Sequence, residues 1–142
     1  MPNYPMDFNV ALDWTAASGK NVLSAPPRPE IVAGAPPGFG GTDQVWSPEH
    51  LLLSSVSLCL MLTFEALAER AKLKIDGYRC QAAGTVDKEA GPAAFSKIKL
   101  RVDLRGPDRD RAEPTLQTAK KFCLISNSLK AAVTVEAVPS LG

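Results

Sequence analysis

Three cysteines, Cys59, Cys80 and Cys123, offer the most chemistry in this sequence of 142 residues. The thiolate is the nucleophilic, redox-active form of cysteine, and two thiols within reach can cycle between dithiol and disulfide. Their number is odd and they lack the close pairs that hold zinc, so neither a disulfide scaffold nor a metal knuckle is implied. His50 is the lone histidine. With Cys59 and Cys123 it would supply at most three scattered ligands, so no metal is expected. Ser126 and Ser128 beside Cys123 raise acyl transfer. The sequence has no Gly-x-Ser-x-Gly elbow, however, and its one histidine lies at a helix start, which excludes a hydrolase. Each cysteine also has an ordinary reading. Cys59 in Leu58-Cys59-Leu60-Met61-Leu62, Cys123 in Phe122-Cys123-Leu124-Ile125, and Cys80 on a strand can all be small apolar core residues. Composition and periodicity do not choose between the two.

The elements that must position these side chains follow from pattern. Ser47-Pro48-Glu49 is a helix start: the serine caps, the proline suits the first turn, and the glutamate meets the positive end of the dipole. The helix should run to about Lys72. Its first half is apolar nearly all round and its second carries Glu65, Glu69, Arg70 and Lys72, so the first half should be enclosed by other elements. The apolar run Leu51 to Phe64 falls short of the ~20 residues of a membrane span, which predicts a core helix. Ahead of it, Phe8, Val10, Leu12 and Trp14 alternate with polar or small residues, the period of a half-buried strand, and Asn21 to Ser24 continues it after a turn at Ser18-Gly19-Lys20. Ala25 to Val45 holds five prolines and four glycines, too many breakers for a long element, although Glu30 to Ala33 can form a short strand. After Gly77 come a strand over Tyr78 to Asp87 and a turn near Glu89-Ala90-Gly91-Pro92. The clearest alternation follows, Ile98, Leu100, Val102 and Leu104 against Lys97, Lys99, Arg101, Asp103 and Arg105. A helix over Asp110 to Phe122 and a strand over Ala131 to Ala137 complete the order. One domain over 1–142 of α+β class is predicted, with helices laid on a mostly antiparallel sheet. The surplus apolar surface of the central helix predicts a dimer that shares its core.

Ser47-Pro48-Glu49-His50-Leu51-Leu52, with Cys59 in the same helix, resembles the Pro-Glu-x-Leu…Cys signature of the osmotically inducible protein C / organic hydroperoxide resistance (OsmC/Ohr) family. Cys123-Leu124-Ile125-Ser126-Asn127-Ser128-Leu129-Lys130 is similar to its second signature, Cys-x-(aliphatic)-Ser-x-x-Leu. The spacing of 64 residues between the two cysteines and the order of elements also fit that family. The resemblance implies an OsmC-like peroxiredoxin: an intertwined homodimer, its sheet wrapped around long central helices, with sites at the subunit interface. Cys59 would attack an organic hydroperoxide and become a sulfenic acid as an alcohol leaves. Cys123 would resolve it as a Cys59–Cys123 disulfide, and a dithiol reductant, a lipoyl protein or small thiol, would restore the pair. Such a cycle needs no cofactor. A thiolate in an apolar mid-helix setting does need a cation. In the family an arginine supplies it, oriented by the glutamate that maps onto Glu49. Upstream of Cys59 the basic residues are Lys20 and Arg28, which makes Arg28 the candidate; at the early glycine turn where the hydroperoxide-resistance branch has its arginine, this chain has Gly19-Lys20. Glu49 and Cys59 would be about 15 Å apart along a continuous helix. Glu49 would therefore serve the partner chain's Cys59 or act through a bridging arginine, its plainer role being a helix-start acid.

Sixteen basic against fifteen acidic residues leave a net charge of +1, so no overall field draws nucleic acid or an anionic membrane. The Lys97-to-Arg105 strip is interrupted by Asp103 and has no interleaved aromatics, the mark of a solvated strand face. The first thirteen residues lack a basic-then-apolar secretory pattern, which together with free thiols points to a reducing, cytoplasmic setting. Phe39, Trp46, Phe64 and Phe122 could line an apolar entrance or simply fill core. Two other readings stand beside the peroxidase: a non-catalytic homodimeric binding protein that takes an apolar ligand in the interface cleft, and a structural subunit with inert thiols.

Overall fold

A computed structural model describes residues 2–89 and 91–142, so Ala90, within the turn expected after Asp87, lies outside the described residues. The chain divides into two compact units, Met1–Leu51 and Leu52–Gly142. The boundary falls inside the long helix.

The first unit is a three-stranded antiparallel sheet in the order β1 (Ala11–Trp14), β2 (Asn21–Ser24) and β3 (Ile31–Ala33). Leu12 stands opposite Leu23, and Leu23 opposite Ile31. The opening strand is shorter than its alternation suggested and is not half-buried: every residue of β1 is exposed, and Phe8 and Val10 before it are 86% and 79% exposed. Alternation marks a strand with one apolar face; it does not say that the same chain covers that face. The proline- and glycine-rich segment holds one 3-10 turn, Pro37–Phe39, closed by Gly40 at φ +80°. A Cβ on Gly41 would run into the carbonyl of Ala35, so only glycine fits there. Gly34 then donates its N–H to the carbonyl of Trp46 (2.8 Å), laying the end of the loop beside β3 and delivering the chain to Ser47.

Ser47, 1% exposed, caps helix α1 (Pro48–Arg70) as expected. Its Oγ accepts the His50 N–H at 3.1 Å, and its carbonyl accepts that of Leu51 at 2.9 Å. The helix stops near the expected end because Lys72 turns left-handed (φ 56°). The Leu73 N–H then reaches back to the Ala68 carbonyl (2.9 Å) and that of Lys72 to Glu69 (3.0 Å), closing a Schellman motif.

The second unit carries a sheet in the order β4 (Gly77–Asp87), β5 (Ala94–Arg105) and β6 (Ala132–Ala137). The β4–β5 pair is an antiparallel hairpin with a register shift between Thr85 and Val86. The β5–β6 pair is parallel, from Lys97 opposite Ala132 to Val102 opposite Ala137. Parallel neighbours need a crossover. Here it consists of a 3-10 turn (Asp110–Ala112), α2 (Glu113–Phe122) and a short α3 (Leu124–Asn127). Across the chain the pairing remains mostly antiparallel and the class α+β, as expected.

The core of this unit joins Val56, Leu60, Phe64 and Ala68 of α1, spaced four apart, to Ile98, Leu100, Val102 and Leu104 of β5 and to Leu116 and Ala119 of α2. The first half of α1 was expected to be enclosed all round. It is enclosed along this one stripe, and Leu58 and Leu62 remain 55% and 52% exposed, because a single sheet-and-helix layer offers α1 only one surface. The apolar run Leu51 to Phe64 lies within the 23 residues of α1, whose length matches the expected helix. An 18-residue window of it has a mean hydropathy of 1.9, so by length and composition it could cross a membrane, yet its buried stripe belongs to the core.

Candidate active site

Cys59 projects from the middle of α1, partly buried and packed against the core of the second unit. One turn on, the Thr63 hydroxyl donates to its carbonyl at 2.8 Å. Cys123 is 1% exposed and belongs to neither flanking helix. Its backbone is extended (φ −68°, ψ 108°), ending α2 and serving as N-cap of α3. The junction is held by the Asn127 N–H on the Cys123 carbonyl and the Asn127 side-chain amide on the Lys121 carbonyl, both 3.0 Å. Asn127 of the second sequence signature thus secures the break that presents the thiol.

The Cys59 and Cys123 thiols are neighbours, and both are free. Burial pushes the Cys123 thiol up to about 11. The Ser126 N–H at the start of α3 pulls it back, the neighbouring Cys59 pushes it up, and the Ile125 N–H pulls it down. Neither N–H makes a hydrogen bond of ordinary geometry with the sulfur. On β4, burial likewise pushes Cys80 up to about 11.

Tyr78 shares the inward face of β4 with Cys80 and tilts against Phe64, ring centroids 5.6 Å apart. Among the described residues its buried hydroxyl has no partner. Burial, then the charges of Cys80 and Cys123, raise the pKa of the phenol, so it holds its proton. Sequence reasoning passed over this residue. The available signal was the period of two that puts Tyr78, Cys80 and Ala82 on one strand face.

In the first unit, Glu49 occupies the first turn of α1, its Oε2 buried with no hydrogen-bond partner among the described residues. Arg28 is exposed, and its Nη1 donates to the Ala25 carbonyl at 3.4 Å. Among the described residues no ion pair joins Arg28 to Glu49. The structure therefore brings the two sequence-predicted cysteines together and leaves the predicted arginine and glutamate unpaired. His50 is exposed, its Nδ1 2.6 Å from the Ser47 Oγ. With Trp46, Pro36 and Pro37 it lines a hollow of about 360 Å³ in the first unit. Of the other aromatics considered for an entrance, Phe39 and Phe122 are exposed and Phe64 is core.

A family model described as OsmC-like protein matches residues 41–138 of this chain. An uncharacterized protein of Acinetobacter baylyi is 28% identical over 127 residues, spanning 87% of this chain and 82% of its own length. Among solved structures, an OsmC-like protein of unknown function from Vibrio cholerae matches with a TM-score of 0.84 at 20% identity, over 94% of this chain and 100% of that one. An organic hydroperoxide resistance protein from Elizabethkingia anophelis matches with a TM-score of 0.73 at 18% identity, over 94% and 99% of the two chains. At these identities the likeness to solved structures establishes the fold.

Proposed function

Because the chain belongs to the OsmC-like protein family, we propose that it is a thiol-dependent peroxidase that reduces organic hydroperoxides to alcohols. The observation that carries this reading is the pair of free, neighbouring thiols, Cys59 and Cys123, within one compact unit. The Cys59 thiolate attacks one peroxide oxygen, the O–O bond breaks, and the alkoxide takes a proton and leaves as an alcohol, with Cys59 as a sulfenic acid. The Cys123 thiolate then attacks the Cys59 sulfur, the S–O bond breaks, hydroxide leaves with a proton as water, and a Cys59–Cys123 disulfide forms. A dithiol, a lipoyl-bearing protein or small thiol, reduces that disulfide and is itself oxidised. Glu49 and Arg28 are assigned to activating the thiolate, the unpartnered Glu49 Oε2 being a ready acceptor for a guanidinium.

The whole chain acts as one OsmC-like domain, as a homodimer, in the reducing cytoplasm. Support for the dimer comes from apolar side chains left uncovered: Phe8, Val10, Leu12 and Trp14 at the start of the chain and Leu58 and Leu62 on α1. Full burial of each such side chain is worth about 1.5–3 kcal/mol.

Intact mass and peptide mapping after one equivalent of an organic hydroperoxide, with hydrogen peroxide in parallel, test the assignment. A Cys59–Cys123 disulfide that forms faster with the organic peroxide is the expected result, and turnover that survives Cys59→Ser overturns it. The rival, a non-catalytic homodimeric binding protein for an apolar ligand, draws on the unpaired state of Arg28 and Glu49. It expects both thiols to remain reduced in a folded, dimeric protein.

A further inference from the structure

Hydroxyls on an apolar helix find their acceptors on its own backbone. Helix α1 shows this three times: Ser55 donates to the Leu52 carbonyl at 2.8 Å, Ser57 to that of Ser54 at 3.1 Å, and Thr63 to that of Cys59 at 2.8 Å. The first two point their hydrogens toward the start of the helix. Thr63 alone of the three rests its hydroxyl on the residue that carries a thiol. Residues four apart stand one above the other on a helix, about 5–6 Å between Cβ atoms, and the later side chain leans back over the earlier one. Thr63 therefore stands one turn over Cys59, on a stripe next to the buried Val56, Leu60 and Phe64, and both residues are half-buried. The bond that its hydroxyl makes is a spare one. The Thr63 N–H already serves the Cys59 carbonyl in the helix ladder, so the hydroxyl can leave without orphaning that oxygen. Threonine in a helix divides between two rotamers, so a turn about χ1 costs little. A neutral thiol is a weak acceptor and a thiolate a strong one. The carbonyl thus keeps the hydroxyl while Cys59 is protonated, and a charged sulfur outbids it. The titratable groups packed against α1 in this core are Tyr78 and Cys80 of β4 and Cys123 at the α2–α3 junction, and none of them can carry the positive charge that would steady a thiolate.

We propose that Thr63 is the hydrogen-bond donor to the Cys59 thiolate, its hydroxyl resting on the Cys59 carbonyl while the thiol is protonated and turning onto the sulfur as the sulfur ionises. The thiol proton goes to solvent, and the hydroxyl keeps its own. Glu49 and Arg28 belong to the first unit, so Thr63 is the activating group that the second unit supplies, from the same helix as the thiol. The assignment rests on the peroxidase reading for its use, though not for its test.

A single-thiol chain, Cys80→Ser/Cys123→Ser, is alkylated with iodoacetamide and followed by intact mass from neutral to alkaline pH, as it stands and with Thr63→Val, Thr63→Ala, Thr63→Ser or Ser57→Ala. Valine keeps the branched shape of threonine without the hydroxyl, and alanine repeats the test should the core reject valine. Loss of the donor should move the pH–rate profile up by about one unit. Alkylation at neutral pH then slows about threefold, a tenfold smaller thiolate fraction being offset about threefold by its greater nucleophilicity, and on the alkaline plateau it becomes about threefold faster. A helix that the substitution only loosened would expose the sulfur and speed alkylation at every pH. Ser57→Ala removes a hydroxyl of the same kind from another face of α1 and should leave the profile in place, as should Thr63→Ser. Crossed profiles confined to the variants that lack the Thr63 hydroxyl support the proposal. An unmoved profile, the same displacement in Ser57→Ala or Thr63→Ser, or a change of one sign at all pH values overturns it. With all three cysteines present, Thr63→Val should slow sulfenic acid formation by an organic hydroperoxide about threefold at neutral pH. If the unmodified chain is not oxidised at Cys59, the peroxidase reading fails while the alkylation profiles still decide the role of Thr63.

Discussion

If the chain is the proposed peroxidase, closure of the Cys59–Cys123 disulfide should be the pH-sensitive step of its cycle, and its slope can be worked from the burial of one sulfur. With the Cys123 thiol pushed up to about 11, its thiolate fraction is about 10⁻⁴ at pH 7 and about 10⁻² at pH 9, a gain of about one hundredfold. Oxidation of Cys59 to an uncharged sulfenic acid removes the push that its thiolate exerts on Cys123. Burial, the largest cause, stays, so the slope persists in the intermediate that matters. The assay is rapid mixing with one equivalent of organic hydroperoxide at several pH values, quenched into a sulfenic-acid trap and read by intact mass. Trapped Cys59 sulfenic acid should accumulate at pH 7 and give way to disulfide at pH 9. A closure rate that is flat across this range would refute the reasoning, since Cys123 would then ionise near neutrality in spite of its burial.

Four further outcomes follow from the same structure. Burial raises Cys80 above its unfolded value, so its contribution to stability is present below that value and lost as pH rises through about 11; Cys80→Ala should lessen the alkaline fall in melting temperature. Asp108 behaves oppositely. Its carboxyl is held below the usual range by the Lys74 N–H at 2.7 Å and then by Arg111 at 3.0 Å, so Asp108→Asn should destabilise at neutral pH, with the gap in denaturation midpoint closing as pH falls below about 4. Gly106 (φ +132°) has no room for a Cβ, which would lie 2.8 Å from the Asp76 nitrogen and the Lys74 oxygen; Gly106→Ala should cost about 2 kcal/mol or more in chemical denaturation. For the dimer, Leu58→Glu with Leu62→Glu should give a folded monomer in sedimentation, whereas an unmodified chain that is monomeric at micromolar concentration would remove the shared-core reading.

Features set by near neighbours in the chain were legible from residues alone. Ser47 caps where its side chain can meet the N–H three residues on, and β5 alternates as expected except at Asp103, read as part of a solvated face but 1% exposed, because the Leu141 N–H and Arg105 reach over to its Oδ2. The parallel seating of β6 was not legible. Val133 and Val135 alternate with Thr134 and Glu136 as they would in an antiparallel strand, and direction is decided by the crossover rather than by the strand. The exposed β1 shows the same limit from the other side, since its pattern specifies an apolar face and not what covers it. At the site, motif wording singled out Cys59 and Cys123, but their adjacency arises from packing α1 against the α2–α3 junction. The orphaned Tyr78 hydroxyl exists only once β4 is laid against that core.

The parallel pairing of β6 also bears on the order of assembly. The β4–β5 hairpin closes over a short turn, whereas β6 must find β5 across the whole crossover, and longer closures come later and more slowly. Cys123 lies inside that crossover, so by the same reasoning its sulfur should meet Cys59 late in assembly. Until then, if the proposed roles hold, a newly made chain would carry an attacking thiol without its resolving partner. On the proposed assignment, peroxide met at that stage would leave Cys59 as a sulfenic acid with no route to a disulfide, open to further and irreversible oxidation. Completion of the fold would then coincide with protection of the thiol.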